Sequence, residues 1–222
     1  RVLFRSGKYT SLLWEPNEYI NIMVYPFTDS QILGISTFPY SLKNFFLEGT
    51  QQVSASWITL ENLSFPYCIS INSSYIYEQS TDERINQNDA AITLAHELGH
   101  YLGLRHVFSE GGTTSMCTDT DYCKDTPSYN RSEYEQWLNN LDKQNKYQLK
   151  DLAKRYSCEK GEYEAHNIMD YAYCFYNEIT LEQRKRIRHI LNYSPLIPGP
   201  KESRIDTRGV QGRLNLPICI MK

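Results

Sequence analysis

Residues 96–106 read His-Glu-Leu-Gly-His-Tyr-Leu-Gly-Leu-Arg-His, and this stretch decides both the central helix of the chain and its chemistry. His96 and His100 are four residues apart, so on an α-helix their side chains lie on one face. Two imidazoles in that arrangement can bind a single metal ion. Glu97 follows the first histidine, where a carboxylate can take a proton from a metal-bound water.

The second half of the stretch supplies a third ligand. Gly103 tolerates the left-handed conformation that ends many helices, and His106 can then return toward the first two histidines. Three protein ligands leave the fourth position of a tetrahedral zinc open for water, which is the catalytic arrangement of this metal. The competing interpretation is a surface helix with scattered histidines.

The composition indicates a globular protein with a sizeable core. The 222 residues are 41% hydrophobic and 22% charged, which fits one large domain or two subdomains that share a cleft. A net charge of −3 gives no reason to expect nucleic acid or an anionic membrane as a partner. No apolar run predicts a membrane span, and no stretch of these residues has the pattern of a signal peptide, so for an exported protein we expect a targeting segment that was removed or lies outside this sequence.

The N-terminal half is predicted to hold a sheet. Apolar and β-branched residues favour buried strands at 19–27 and 67–77. A shorter strand at 32–39 contains a glycine and ends in a proline, which favours a sheet edge. We expect little regular structure over 41–64 and a polar turn over 79–88.

Helices are predicted to follow. Asn88 or Asp89 can cap a helix over 90–102, which is apolar on nearly all faces and therefore buried. Buried histidines and a glutamate need a compensating partner, and a metal can provide it. Residues 109–128 are predicted to form an irregular loop.

Two further segments carry helical spacing. We predict one broken helix or two short ones over 131–156, with the break near Asp142. A clear helix over 180–191 has Thr180 at its N-cap and Gln183 three residues later, the pattern of a capping box.

Six cysteines leave two explanations open. They could be additional metal ligands, although none has C-x-x-C spacing, or they could form disulfides in an exported protein. Four of them fall between residues 117 and 174, and the full set is Cys68, Cys117, Cys123, Cys158, Cys174 and Cys219.

The long histidine motif resembles the signature of the metzincin metalloproteases. These enzymes have a methionine-containing turn beneath the zinc, and residues 167–171, Asn-Ile-Met-Asp-Tyr, look like that turn with Met169 as its methionine.

Within the metzincins, the chain is most similar to the pappalysin family from about residue 14 to residue 193. The similarity is carried by Trp14-Glu15-Pro16, by Gly34-Ile-Ser-Thr-Phe-Pro39, by Asp121-Tyr-Cys-Lys-Asp-Thr-Pro127 and by residues 183–188. The bacterial lipoprotein members look nearer than the animal ones. The segment 131–156 departs from the family pattern as an insertion.

The resemblance implies an α+β fold of the metzincin type with one catalytic domain in two subdomains. Residues 1–103 would form the upper subdomain, a twisted mixed β-sheet packed on the zinc-binding helix. Residues 104–222 would form an irregular, mostly helical lower subdomain with the Met-turn and a C-terminal helix. Gly103 would mark the boundary.

It also implies a zinc-dependent endopeptidase. His96, His100 and His106 would hold Zn²⁺, and Glu97 would be the general base that activates a water for attack on a peptide carbonyl. Tyr171 would ligate the resting metal or donate a hydrogen bond to the tetrahedral intermediate, or would only pack there. An edge strand would hold the substrate by strand addition, with Gly34, Ile35, Ser36, Thr37 and Phe38 as its residues.

Two structural features remain open. Calcium, which pappalysin-like enzymes bind near this loop, could bind to Asp119, Asp121, Asp125 and Thr126, or these residues could form a solvated turn. Cys123 stands where the family usually has an apolar residue. This departs from the disulfide pairing usual in the family. Our first expectation is Cys158 with Cys174 and Cys117 with Cys123, with Cys68–Cys219 as a weaker third pair.

Alternative functions follow from the same residues. The chain could be a zinc-stabilised binding module that does not cleave, a latent protease blocked by a segment before residue 1, or a member of another metzincin family. We expect a monomer with a protein or peptide substrate and no nucleic-acid partner. We further expect export to the cell surface, the periplasm or the medium, with a possible lipid anchor upstream of the chain.

Overall fold

The computed structural model describes residues 12–58, 67–77, 89–109, 120–142, 149–157, 159–171 and 173–198. The strands are β1 Ile22–Tyr25, β2 Gly34–Ser36, β3 Tyr40–Leu42, β4 Gln51–Val53, β5 Ile69–Asn72, β6 Lys154–Ser157 and β7 Gly161–Glu164. The helices are α1 Ala90–Tyr101, α2 Arg131–Asp142, α3 Leu149–Leu152 and α4 Leu181–Tyr193. The predicted turn over 79–88 lies outside the described residues.

The main sheet is mixed, as predicted, and β2 is one of its edges. Its strand order is β1-β5-β2, with β5 parallel to β1 and antiparallel to β2. All four residues of β5 are buried, whereas exposed and half-buried residues alternate along β1, so β5 is the central strand and the other two flank it. All three predicted strands are therefore confirmed, each shorter than its sequence pattern.

A second pair of strands corrects the expectation of little regular structure over 41–64. Strands β3 and β4 pair in parallel, with Tyr40 opposite Gln51 and Leu42 opposite Val53. The Ser41 hydroxyl lies 2.6 Å from the Thr50 hydroxyl and ties the connection to the strand. Three-residue strands are too short to show a hydrophobic period, and tertiary burial selects them instead. Residues 59–64 lie outside the described part.

Helix α1 packs on the sheet and closes the larger hydrophobic core. Tyr101 at its end is fully buried together with Ile69 of the central strand and Ile190 of α4. Removing these large side chains from water is the main favourable contribution to holding helix and sheet together.

The ends of α1 confirm one prediction and correct another. Gly103 has φ +87°, the left-handed conformation expected after the helix. Asp89 stands at the N-cap position, but its side chain makes no capping hydrogen bond. The start of α1 is therefore fixed by its packing rather than by this cap; Asn88, the other candidate, lies outside the described residues.

The segment 131–156 is only partly helical. Helices α2 and α3 agree with two short helices, but residues 154–157 form β6, which pairs with β7 as an antiparallel hairpin. A four-residue strand is too short to show its own hydrophobic period beside a helical pattern, so the sequence did not predict the change from helix to strand. Tyr134 of α2 packs in a second hydrophobic core with Met169 and Phe108.

Helix α4 follows its sequence signal closely. The Thr180 side chain accepts a hydrogen bond from the Gln183 backbone N–H, and the Gln183 side chain accepts one from Thr180 N–H, which completes the predicted capping box. The α+β class is thus confirmed. In the described ranges, each helix is too short or too polar to cross a bilayer.

Candidate metal centre

Three histidines converge at the end of α1. Their ligand nitrogens all lie within 4.8 Å of one another, and His100 Nε2 is 3.0 Å from His106 Nε2. Nitrogens bound to one tetrahedral zinc at about 2.0–2.1 Å would lie roughly 3.3 Å apart. The helix supplies His96 and His100 from one face, and the turn after Gly103 returns His106 to them.

Backbone carbonyls fix the orientation of the first two rings. His96 Nδ1 lies 2.7 Å from the Ile168 oxygen, and His100 Nδ1 lies 2.8 Å from the Leu104 oxygen. Because a carbonyl can only accept, each Nδ1 carries the proton and each Nε2 turns a lone pair toward the other histidines. This is the arrangement that metal-binding histidines adopt, with the second nitrogen donating to a carbonyl.

His96 provides a specific test of whether a metal fits. Its Nε2 is buried and has no hydrogen-bond partner, an arrangement that buried polar atoms rarely adopt without an ion or water. Burial, followed by the nearby His100 and His106, lowers the pKa of His96 to about 3, so its imidazole is neutral at pH 7. A neutral nitrogen with no partner suits a cation such as Zn²⁺.

Glu97 lies beside this cluster on the cleft side of α1. It is buried, and burial raises its pKa to about 8. Strand β2 approaches it closely: a Cβ added to Gly34 would lie 2.6 Å from Glu97 Cγ and 2.9 Å from Oε1. The absence of a side chain at Gly34 thus creates the space that the carboxyl occupies.

Met169 forms the floor beneath the histidines. It is completely buried, and its sulfur would be 2.4 Å from a Cβ added to Gly99 of α1. The backbone around it also supports the site, since Ile168 provides the acceptor for His96 and the Met169 carbonyl accepts from Val107 N–H.

Tyr171 follows the turn and lies against the histidines. Its ring centroid is 4.3 Å from that of His106 and 5.3 Å from that of His96. The side chain is 37% exposed, so it borders the cleft instead of filling the core. The Arg131 guanidinium lies 4.7 Å from the centre of the same ring.

The cleft extends along β2 on both sides of the histidines. A cavity of about 510 Å³ lies on the Gly34 side and includes Glu97 and Tyr171 in its walls. A second cavity of about 580 Å³ is lined by Ser36, Thr37 and Phe38 together with His100 and His106. Four of the five predicted substrate-binding residues therefore border the two cavities, and Ile35 lies between them on the strand.

A sequence model for the family described as pregnancy-associated plasma protein-A, peptidase M43, matches residues 48–192. The chain belongs to this family. The membership confirms the resemblance to the pappalysins, and it makes the chain a member of a metallopeptidase family whose metal is typically zinc.

Two similar proteins are named extracellular metalloproteases. The chain is 32% identical over 184 residues to an extracellular metalloprotease of Arthroderma otae, which covers 82% of the chain and 51% of that protein. It is 37% identical over 108 residues to an extracellular metalloprotease of Arthroderma benhamiae, covering 47% of the chain and 32% of the relative. The chain thus spans between a third and a half of the length of these curated relatives.

A solved structure of mature mirolysin from Tannerella forsythia, in complex with a cleaved peptide, is also similar. The TM-score is 0.48 at 20% sequence identity, and the match covers 91% of the chain and 60% of mirolysin.

In this pappalysin-like chain, two of the residues predicted to bind calcium, Asp121 and Thr126, are hydrogen-bonded to each other. The Thr126 hydroxyl donates to Asp121 Oδ2 at 2.6 Å, and Asp121 Oδ1 accepts from Cys123 N–H. Asp125 instead accepts from the Thr180 hydroxyl and Glu182 N–H at the start of α4. Asp119 lies outside the described residues, so the complete set of calcium ligands stays a prediction.

The predicted disulfides also stay predictions, because each pair has one member outside the described residues. Cys68, Cys123 and Cys174 are buried thiols in the part that the structure describes. Burial raises the pKa of Cys123 and of Cys174 to about 12, so both are protonated at neutral pH.

Arg155 is a supporting residue that the sequence analysis did not identify. Its side chain is fully buried, and its Nη2 donates to the carbonyls of Tyr171 and Tyr173 at 3.0 Å each. Its Nε lies 3.4 Å from Asp170 Oδ2, and Asp170 Oδ1 accepts from the Tyr129 hydroxyl at 2.5 Å. The guanidinium therefore holds the turn that carries Tyr171. A single arginine in a segment predicted to be helical gives no sign of this burial.

Proposed function

We propose that this chain contains the catalytic centre of a zinc-dependent endopeptidase. The observation that carries the proposal is the buried, unpartnered Nε2 of His96, which faces two further histidine nitrogens directly beside Glu97 and a sheet edge. His96, His100 and His106 would hold the zinc. Bound zinc supplies a Lewis acid that polarises a water and the scissile carbonyl.

The side chains around the site perform the remaining steps. Glu97 takes a proton from the attacking water and passes it to the leaving amine, and its burial suits a carboxyl that exchanges a proton near neutral pH. Tyr171 stabilises the developing oxyanion by donating a hydrogen bond. Strand β2 binds an extended substrate by main-chain pairing, because its outer edge has no partner strand among the described residues.

The test removes the general base while keeping the metal ligands. Glu97→Ala should retain zinc, measured by metal analysis, and lose at least about 100-fold of its activity on casein and on a peptide library, the effect expected of a general base. Glu133→Ala is a matched control, since Glu133 is exposed on α2. Full cleavage by the Glu97 variant would disprove the mechanism. A zinc-loaded wild type that cleaves nothing would favour the non-catalytic binding module.

The proposal also includes export of the chain and binding of calcium. The relatives are named extracellular metalloproteases, which supports export of this chain. Anchoring by a lipid, a monomeric state and calcium at the Asp121–Thr126 loop stay predictions. Calcium binding there would raise the melting temperature of the wild type on titration with calcium, and Asp121→Asn would remove the increase.

A further inference from the structure

The two cavities of the cleft differ in charge. In the Gly34-side cavity, Arg131 Nε lies 2.6 Å from Glu135 Oε1, Asp170 lies against Arg155, and Glu97 is a third carboxyl group. In the second cavity, Arg105 is the only arginine, lysine or carboxylate among the described lining residues. Among the described residues, the Gly34-side cavity therefore has more carboxyl groups than arginines in its lining, and the second cavity carries a cation.

Arg105 is held in place by its contacts, and no salt bridge joins it to a carboxylate of the described residues. Its Nε and Nη2 both donate to the Gly49 carbonyl, at 3.2 and 2.7 Å. Its guanidinium carbon lies 5.0 Å from the centre of the Phe38 ring and 6.0 Å from that of Tyr122. Among the described residues, these carbonyl and ring contacts fix the plane of the cationic guanidinium without a carboxylate partner.

A second guanidinium, with the Asp121 carboxylate near it, lies behind this wall. Arg186 lies 5.5 Å from the centre of the same Tyr122 ring and donates to the Glu48 carbonyl at 2.9 Å. Burial lowers the pKa of Arg186 and the charge of Arg105 contributes to this shift, while Asp121 acts in the opposite direction. The two arginines thus interact, and Arg105 is the one that borders the cavity.

The orientation of the substrate decides which residue meets Arg105. A peptide that adds antiparallel to β2 runs from the Phe38 side toward Gly34, because β2 itself runs from Gly34 to Ser36. Residues before the scissile bond then lie along the second cavity, and residues after it lie beside Glu97 and the Gly34-side cavity.

We propose that Arg105 is a specificity-determining residue that binds an acidic side chain on the N-terminal side of the scissile bond. The preferred substrates are then proteins cleaved within about three residues after an aspartate or glutamate. A pre-oriented guanidinium binds a carboxylate with two charge-assisted hydrogen bonds, which a neutral or basic side chain cannot form. This inference rests on the proposed peptidase function.

The first experiment profiles cleavage of a proteome-derived peptide library by the zinc-loaded wild type. Aspartate and glutamate should be enriched at one of the three positions before the cleaved bond. No enrichment there, or enrichment of lysine and arginine, would overturn the proposal. Acidic residues enriched only after the bond would contradict the substrate direction and with it the assignment to Arg105.

The second experiment uses three quenched fluorescent peptides that differ only at the enriched position, which holds Glu, Gln or Lys. Arg105→Gln should lower kcat/KM for the Glu peptide about ten-fold, mainly through KM, and change the Gln peptide less than about two-fold. Arg105→Glu should prefer the Lys peptide. Arg188→Gln removes an equal charge from the exposed face of α4 and should preserve the wild-type order.

An equal loss on all three peptides would show that Arg105 only holds the Gly49 loop, and the proposal would be wrong. Binding of labelled Glu and Gln peptides to zinc-loaded Glu97→Ala separates this failure from a failure of the peptidase function. If the wild type cleaves without a charge preference, the function stands and the inference fails. If the wild type cleaves nothing but Glu97→Ala binds the Glu peptide more tightly, and Arg105→Gln in that background removes the difference, the inference stands and the function fails.

Discussion

Gly34 shows how closely single residues set the geometry of the site. Its missing side chain leaves the space for the Glu97 carboxyl, although the sequence identified it only as part of an edge strand. The histidines and Glu97 were predicted because their spacing along a helix is local. The contact between Gly34 and Glu97 joins residues 63 positions apart, which no local period can report.

Gly34→Ala should lower peptidase activity while preserving the metal. The added Cβ would lie 2.6 Å from Glu97 Cγ, so the carboxyl must turn away from the position beside the histidines. We expect kcat to fall by at least about ten-fold, as for a displaced catalytic group. Zinc content should not change, because no histidine moves. Gly161→Ala is a control for backbone strain alone: its φ of +78° makes an added Cβ unfavourable, but that Cβ meets nothing within 4 Å, so stability should fall and kcat should not. Wild-type kcat in Gly34→Ala would contradict the close contact.

Arg155→Met should destabilise the fold strongly. It leaves Asp170 buried without its ion-pair partner and the carbonyls of Tyr171 and Tyr173 without donors. Removing one member of a buried pair costs about 3–5 kcal/mol in the free energy of unfolding, measurable by urea denaturation. Lys154→Met is the neighbouring control: its contacts with Asp151 and Glu162 are exposed to solvent and should contribute little to the free energy of unfolding. Equal effects of the two substitutions would argue against a buried ion pair.

At the scale of elements, the length of the sequence pattern around an element separated the predictions that succeeded from those that failed. Helices α1 and α4 have twelve and thirteen residues, enough to show a helical period, and the ends of α4 carried a readable capping box. Strands β3, β4 and β6 have three or four residues and form only because a partner strand and a core lie beside them.

The Asp125 carboxylate accepts hydrogen bonds at the start of α4 and should stabilise the fold in a pH-dependent way. Burial acts to raise its pKa, but hydrogen bonds from Glu182 N–H and the Thr180 hydroxyl outweigh it, and the net pKa is lowered. A lowered pKa means that the charged carboxylate stabilises the folded state above the unfolded pKa, and that this contribution is lost as the pH falls through the folded pKa.

Asp125→Asn should therefore lower the free energy of unfolding at pH 7 in calcium-free buffer by about 0.3–1 kcal/mol, the amount typical of a charge at a helix terminus. The melting temperature should fall accordingly. The difference from the wild type should shrink below pH 4 and vanish once the wild-type carboxyl is protonated. Thermal denaturation from pH 2.5 to 7 checks this. A gap for Asp125→Asn that persists at pH 2.5 would contradict the charge-based explanation.

At the scale of the whole molecule, the metal should hold the two hydrophobic cores together. His96 and His100 belong to α1, which packs on the sheet, whereas the His106 ring stacks on Phe108 of the second core. A ligand that binds only the folded state stabilises it by about 2.7 kcal/mol at a concentration 100 times its Kd.

Removal of zinc with a chelator should therefore lower the melting temperature by about 5–10 °C for a chain of this size. His106→Ala should abolish most of the difference between zinc-loaded and zinc-free protein, because one ligand is lost. His166→Ala should retain it, since His166 hydrogen-bonds to Asn177 away from the cluster. The same zinc dependence in both variants would show that His106 is not a ligand.

The sequence by itself determined the helix that presents His96, Glu97 and His100, the glycine that ends it, the capping box of α4 and the family. Each of these depends on residues close together in the chain, where spacing translates directly into geometry. Only the tertiary structure decided that Gly34 makes room for Glu97, that Arg155 holds the turn of Tyr171, and that Arg105 leaves a charge beside one side of the cleft. These contacts join residues far apart in the chain, and burial and pairing of polar groups select them only when the cores are assembled.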